Sequence, residues 1–79
     1  MEVKVFSTNS CPYCHLEKEW LHKNGVKFQD INVQMDQAAA EEMIEKSGQM
    51  GVPVTIIDGK KVIVGFDKGR LAKELGIKA

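Results

Sequence analysis

A single pair of cysteines, Cys11 and Cys14, two residues apart, limits how this chain can hold itself together. At 79 residues it lies near the lower size limit for folding on an apolar core alone. Chains this short often rely on several disulfides or a structural metal. A bridge between Cys11 and Cys14 closes so small a loop that it staples very little. The fold must therefore rest on packing within one domain, and the two sulfurs are free for chemistry.

The apolar pattern supplies that packing in alternating elements. Val3 and Val5, alternating with the charged Glu2 and Lys4, predict a strand over about residues 2–7. A polar loop from Ser7 to Ser10 leads to Cys11 at an N-cap position. Pro12 then stands at the first helical position, where a missing N–H costs nothing. Tyr13, Leu16, Trp20 and Leu21 recur at helical spacing, with Trp20 expected in the core, and Asn24-Gly25 ends the helix. The charges from Glu17 to Lys23, His22 among them, read as a solvated helix face. A second strand is expected over Val26 to Val33. Asp36 is placed to cap a second helix with Ala39, Ala40, Met43 and Ile44 on its apolar side, stopped at Ser47-Gly48. Met35, Met43 and Met50 read as core or groove filler.

The last third of the chain predicts a hairpin and a helix. Val54 to Ile57 and Lys61 to Val64 flank Asp58-Gly59, a strong hairpin turn signal. Asp67 is the expected N-cap of a final helix, with Leu71 and Leu75 inward and Gly76 as terminator. The order β-α-β-α-β-β-α, with a parallel crossover first and an antiparallel hairpin last, predicts a mixed four-stranded sheet flanked by three helices. This is an α/β fold of the thioredoxin-like kind, in which a Cys-x-x-Cys run opens the first helix.

The spacing of the cysteines suits redox exchange. Cys11 lies where unsatisfied N–H groups and the positive end of the helix dipole favour thiolate, the attacking species. Cys14 lies deeper, where thiol is favoured. Cys11 is thus the candidate nucleophile. Cys14 resolves the mixed disulfide and leaves an internal one. Pro12 stiffens the turn, and Thr8 and Ser10 can donate hydrogen bonds nearby. No Lys or Arg lies between Cys11 and Lys18 to act as a local cation. Pro53, directly ahead of an apolar strand, is a candidate cis proline. A cis Val52-Pro53 bond would turn the Val52 backbone toward the cysteines, where it can pair with an extended peptide.

Other chemistries fit less well. Formal net charge is zero with both signs interspersed, so no basic stripe for nucleic acid is present. A structural zinc site needs four ligands, and only His15 and His22 of the same helix could join the cysteines. Cys11 to His15 matches the Cys-x-x-Cys-His pattern of haem attachment, but that chemistry belongs to exported chains. The first residues lack the apolar stretch of a signal peptide, and no segment is apolar enough to span a bilayer. A cytoplasmic monomer with no membrane association and no bound metal or cofactor is expected.

Cys11-Pro12-Tyr13-Cys14 resembles the active-site tetrapeptide of dithiol glutaredoxins. Val52-Pro53 is similar to that family's valine and cis-proline, and Gly65-Phe66-Asp67 to its glycine-rich turn bearing an aspartate. The resemblance covers nearly the whole chain. It implies a disulfide oxidoreductase with Cys11 and Cys14 as catalytic residues. It also implies glutathione as co-substrate, bound around Pro12, Tyr13, Val52, Pro53, Gly65, Phe66 and Asp67. Disulfide-containing proteins would be its partners.

The departures from the family pattern concern glutathione. Thr8 stands where a lysine is usual, Gln49 where a basic residue is frequent, and Gly51 where a threonine precedes Val-Pro. Lys68 replaces the second of two paired aspartates. Gly65-Phe66 also resembles the glutaredoxin-like reductants of ribonucleotide reductase, which implies thioredoxin reductase as an alternative electron donor. A reading from another class is a glutaredoxin-like module that holds an iron–sulfur cluster or another metal between two copies.

Overall fold

The computed structural model of the chain describes residues 2–77. Seven elements follow one another: β1 (Val3–Ser7), α1 (Pro12–Lys23), β2 (Gln29–Asn32), α2 (Gln37–Ser47), β3 (Val54–Ile57), β4 (Lys61–Val64) and α3 (Lys68–Leu75). The strands form one sheet in the order β2-β1-β3-β4. β1 pairs parallel to β2, while β3 is antiparallel to both β1 and β4. This is the mixed four-stranded, three-helix architecture expected from the sequence.

Strand periodicity divides β1 between two cores. Val3 and Val5 face one side with Leu21 of α1, Ile57, Ile63 and Leu71 of α3. Phe6 faces the other with Ala39 and Met43 of α2, Val54 and Ile56. The sheet is covered on both faces, so β3 at its centre is buried at all four positions. Trp20 is partly buried against the first core and meets Phe66 edge-on at 6.1 Å.

Caps set the helix ends. Asp36 accepts from the Ala39 N–H at 3.1 Å, and Asp67 from the Arg70 N–H at 3.1 Å. At the end of α1, the Gly25 N–H bonds His22 and the Val26 N–H bonds Leu21. Gly25 takes φ 70°, so this is a Schellman closure. That closure corrects the second strand. Val26 is drawn back to the helix, and Val26 and Phe28 pack into the first core without joining a ladder. Pairing starts only at Gln29, opposite Lys4. In the hairpin, Asp58 and Gly59 take φ 54° and 69°. The Lys60 N–H closes the turn on Ile57 at 3.1 Å.

Two further expectations are corrected. Met43 is core, but Met35 and Met50 are 81% and 78% exposed. Both lie outside helices and strands, where no packed face receives them. The charged stretch of α1 is not uniformly solvated. Glu17 is fully buried, because it lies on the inward stripe with Cys14 and Leu21.

Candidate active site

The site forms where the start of α1 meets the segment ahead of β3. Cys11 is the N-cap of α1, with extended backbone, and Pro12 begins the helix. The Cys14 N–H donates to Cys11 Sγ at 3.2 Å. An orphan amide of the first turn thus points at the sulfur that a thiolate would occupy. Cys11 is partly accessible and Cys14 buried, and both are free thiols. Burial, joined by the hydrogen bond with Cys11, pushes the Cys14 thiol up to about 12. A backbone hydrogen bond from Thr8 and the Lys18 charge pull weakly the other way. Cys14 is therefore held as a thiol at neutral pH. A thiol is poorly suited to first attack and well suited to wait for a mixed disulfide.

The Val52-Pro53 peptide bond is cis. The Cys11 thiol reaches the Val52 carbonyl at 3.8 Å, which brings together the two motifs 41 positions apart. Gly65 joins the same region, since its N–H donates to the Pro53 carbonyl at 2.8 Å. Its φ of 81° lies in the region that glycine adopts readily. Phe66 is partly buried against Trp20 and carries Lys68 Nζ over its ring at 5.6 Å. Tyr13, 64% exposed, stands beside Cys14 on the outer side of the helix start.

Several side chains around the site are engaged with their own chain. Gln49 closes on Gly51, accepting from its N–H at 2.6 Å and donating to its carbonyl at 2.9 Å. Asp67 is occupied as the α3 N-cap. His15 lies against the Asn9 carbonyl at 3.3 Å. Among the described residues, no three His, Cys, Asp or Glu side chains converge into a set able to hold a metal ion. No described helix is long and apolar enough to cross a membrane.

Sequence reasoning missed one group near the cysteines. Glu17 lies one turn after Cys14, with its carboxylate accepting from the Thr55 hydroxyl. Burial pushes it up to about 7, against the opposing Thr55 hydrogen bond. Its place three positions after Cys14 on the inward stripe was the available signal.

The glutaredoxin family model matches residues 3–62. An uncharacterized glutaredoxin-like 8.6 kDa protein in the rubredoxin operon of Clostridium pasteurianum is 45% identical over 71 residues, spanning 90% of this chain and 93% of that one. A solved thioredoxin-like protein superposes with a TM-score of 0.91 at 30% identity, over 98% of this chain and 97% of the other. The glutaredoxin-like NrdH-redoxin of Escherichia coli, described as having a thioredoxin-like activity profile, superposes at 0.81 and 29% identity, over 92% and 93%. With its paired thiols at a helix start beside a cis proline, the chain belongs to the glutaredoxin family of thiol oxidoreductases.

Proposed function

We propose that the protein reduces disulfides carried on extended peptides, glutathione mixed disulfides among them, and that glutathione recharges it in the cytoplasm. The observation that carries this reading is the approach of Cys11 Sγ to the Val52 carbonyl. A peptide disulfide presented to Cys11 then lies beside the Val52 backbone and can pair with it as a short added strand. Pro12 and Tyr13, which follow Cys11 at the helix start, and Gly65, tied to Pro53 through its N–H, are the proposed lining of that position, together with Phe66 and Asp67. In the cycle, Cys11 thiolate attacks the substrate disulfide and releases one substrate thiol. Cys14 then displaces the second and leaves the Cys11–Cys14 bridge.

A second reading, recharging by thioredoxin reductase, is favoured by the internal engagement of Gln49 and Asp67. A glutathione carboxylate or ammonium must displace those bonds or find other partners. The likeness to an NrdH-redoxin with a thioredoxin-like activity profile supports the same reading.

Reduction of the oxidised protein, followed by thiol titration, separates the two. One vessel holds glutathione, glutathione reductase and NADPH; the other holds thioredoxin reductase and NADPH. Fast reduction in the first vessel supports glutathione linkage. Fast reduction in the second alone replaces it with the thioredoxin reductase reading. Failure in both, with a chemically reducible bridge, rejects both donors.

A further inference from the structure

The inward stripe of α1 reads Cys14, Glu17, Leu21, and all three are fully buried. Position 17 is where an apolar side chain would continue the packing begun by Leu21. Instead it holds a carboxyl group. One of its oxygens accepts from the Thr55 hydroxyl of β3, while Oε1 is buried with no partner. An ionised carboxylate held this way costs several kcal/mol, roughly, relative to water. A well-packed apolar residue would avoid that cost, so packing does not account for the acid.

The dithiol cycle leaves one need unmet in the same place. Cys14 must lose its proton to attack the mixed disulfide, yet its thiol is pushed up to about 12 and sits away from solvent. Residues three apart on a helix have Cβ atoms roughly 5–6 Å from each other, so Glu17 is the neighbouring buried acid on that face.

We propose that Glu17 is the internal proton acceptor for Cys14, a role that rests on the dithiol cycle proposed above. In the resolving step the Cys14 Sγ–H proton passes to the Glu17 carboxylate. Cys14 Sγ forms a bond with Cys11 Sγ, the bond between Cys11 and the substrate sulfur breaks, and the substrate leaves as thiolate with the electron pair. The substrate is reduced and the dithiol oxidised. In recharging, an incoming thiolate attacks Cys11, Cys14 leaves as thiolate, and Glu17 returns the proton.

Few other groups face this interior. α1 adds Lys18 at its edge, bound to Asp30 of β2 at 3.1 Å and near the Ser7 hydroxyl of β1 at 3.5 Å. β3 adds the Thr55 hydroxyl. β4 and α3 contribute Ile63 and Leu71; Lys61, Lys68, Arg70 and Lys73 are exposed, and Glu74 is half-buried and paired with Lys61 at 3.8 Å. Lys4 of β1 turns to the opposite face, toward Glu42 of α2. Glu17 is thus the one carboxyl buried on the Cys14 face among the described residues. Its displacement to about 7 suits proton transfer in both directions at neutral pH.

Dithiobis(nitrobenzoate) separates the two steps by stopped flow. Cys11 attack releases the first nitrothiobenzoate, and Cys14 attack releases the second. This leaving group needs no proton. In the wild-type protein the second release should rise with pH about a midpoint near 7. Glu17→Gln should slow the second release relative to the first by about a hundredfold and erase that midpoint. Glu17→Asp should restore part of it. An unchanged ratio and pH profile in Glu17→Gln would overturn the role of Glu17 alone. Absence of both releases from wild-type protein would overturn the dithiol reading itself. Should Glu17→Gln fail to fold, carbon-13 NMR of labelled glutamate in the wild-type protein decides. A Glu17 titration that coincides with the second-release profile supports the proposal, and a titration in the ordinary glutamate range overturns it.

Discussion

The Cys14 amide donates to the Cys11 sulfur at 3.2 Å, while the Cys14 side chain itself is sealed inside the protein. In the proposed cycle one residue therefore serves its partner twice, first as a backbone donor to the Cys11 sulfur and later as the thiol that displaces the substrate. The two functions use different atoms, so side-chain substitutions separate them.

Cys11→Ser should abolish all disulfide exchange, since the hydroxyl at the helix start is a far weaker nucleophile than a thiolate. Cys14→Ser keeps the backbone donor. It should retain removal of glutathione from a mixed disulfide and lose reduction of protein disulfides. Steady-state assays with both substrate types check this. Loss of both activities in Cys14→Ser would show that Cys14 does more than resolve.

Glu17 makes stability depend on pH. Its carboxyl is raised from 4.5 in the unfolded chain to about 7 in the folded one. The folded state therefore holds a proton that the unfolded state has lost across that window. The contribution is fully present below 4.5 and is lost as pH rises through 7. At about 1.4 kcal/mol per pH unit, the difference amounts to about 3 kcal/mol. Urea unfolding from pH 4.5 to 8 should show this decline in the wild-type protein, and a flatter profile in Glu17→Gln. Parallel profiles would contradict the placement of the acid.

The start of α3 rests on a single capping side chain. Asp67→Ala should cost about 1 kcal/mol of stability, and Asp67→Asn much less, because asparagine caps equally well. Thermal unfolding of the two variants measures the cap. Glutathione-dependent turnover of the folded Asn variant then reports the binding contribution of the charge.

Gly65 holds φ 81° while its N–H bonds the Pro53 carbonyl. Gly65→Ala should destabilise by about 1–2 kcal/mol, since a Cβ is disfavoured in that region. No heavy atom within 4 Å obstructs such a Cβ, so the effect is conformational and the chain should still fold. An unchanged urea midpoint would show that the turn relaxes to another conformation.

Local signals carried most of the fold. Asp36, Asp67 and Pro12 mark helix starts by side-chain chemistry that acts within a few residues. Gly25, Gly48 and Gly76 mark ends by left-handed backbone, with φ of 70°, 72° and 72°. Asp58-Gly59 fixes the hairpin in the same way. Cys11-Pro12-Tyr13-Cys14 and Val52-Pro53 were likewise readable, because their residue types are unusual at those positions. The structure adds that the two segments meet.

The missed features depend on distant partners. Glu17 sits between Leu16 and Lys18, and its partner Thr55 is 38 positions away. A charge on a helix is ordinarily solvated, and only the packing of α1 on β3 shows otherwise. The strand expected from Val26 failed for a different reason. Apolar residues indicate burial, but Val26 and Phe28 reach the core from a loop tied to the helix end. Met35 and Met50 show the converse, since loop position leaves an apolar side chain exposed.

The central claim is that Cys11 attacks and Cys14 waits. Reduced protein treated briefly with substoichiometric iodoacetamide at neutral pH, then digested and mapped by mass spectrometry, tests it most directly. The account predicts modification at Cys11 with Cys14 unmodified. Equal labelling of the two, or labelling of Cys14 first, would contradict the assignment of nucleophile and resolving thiol.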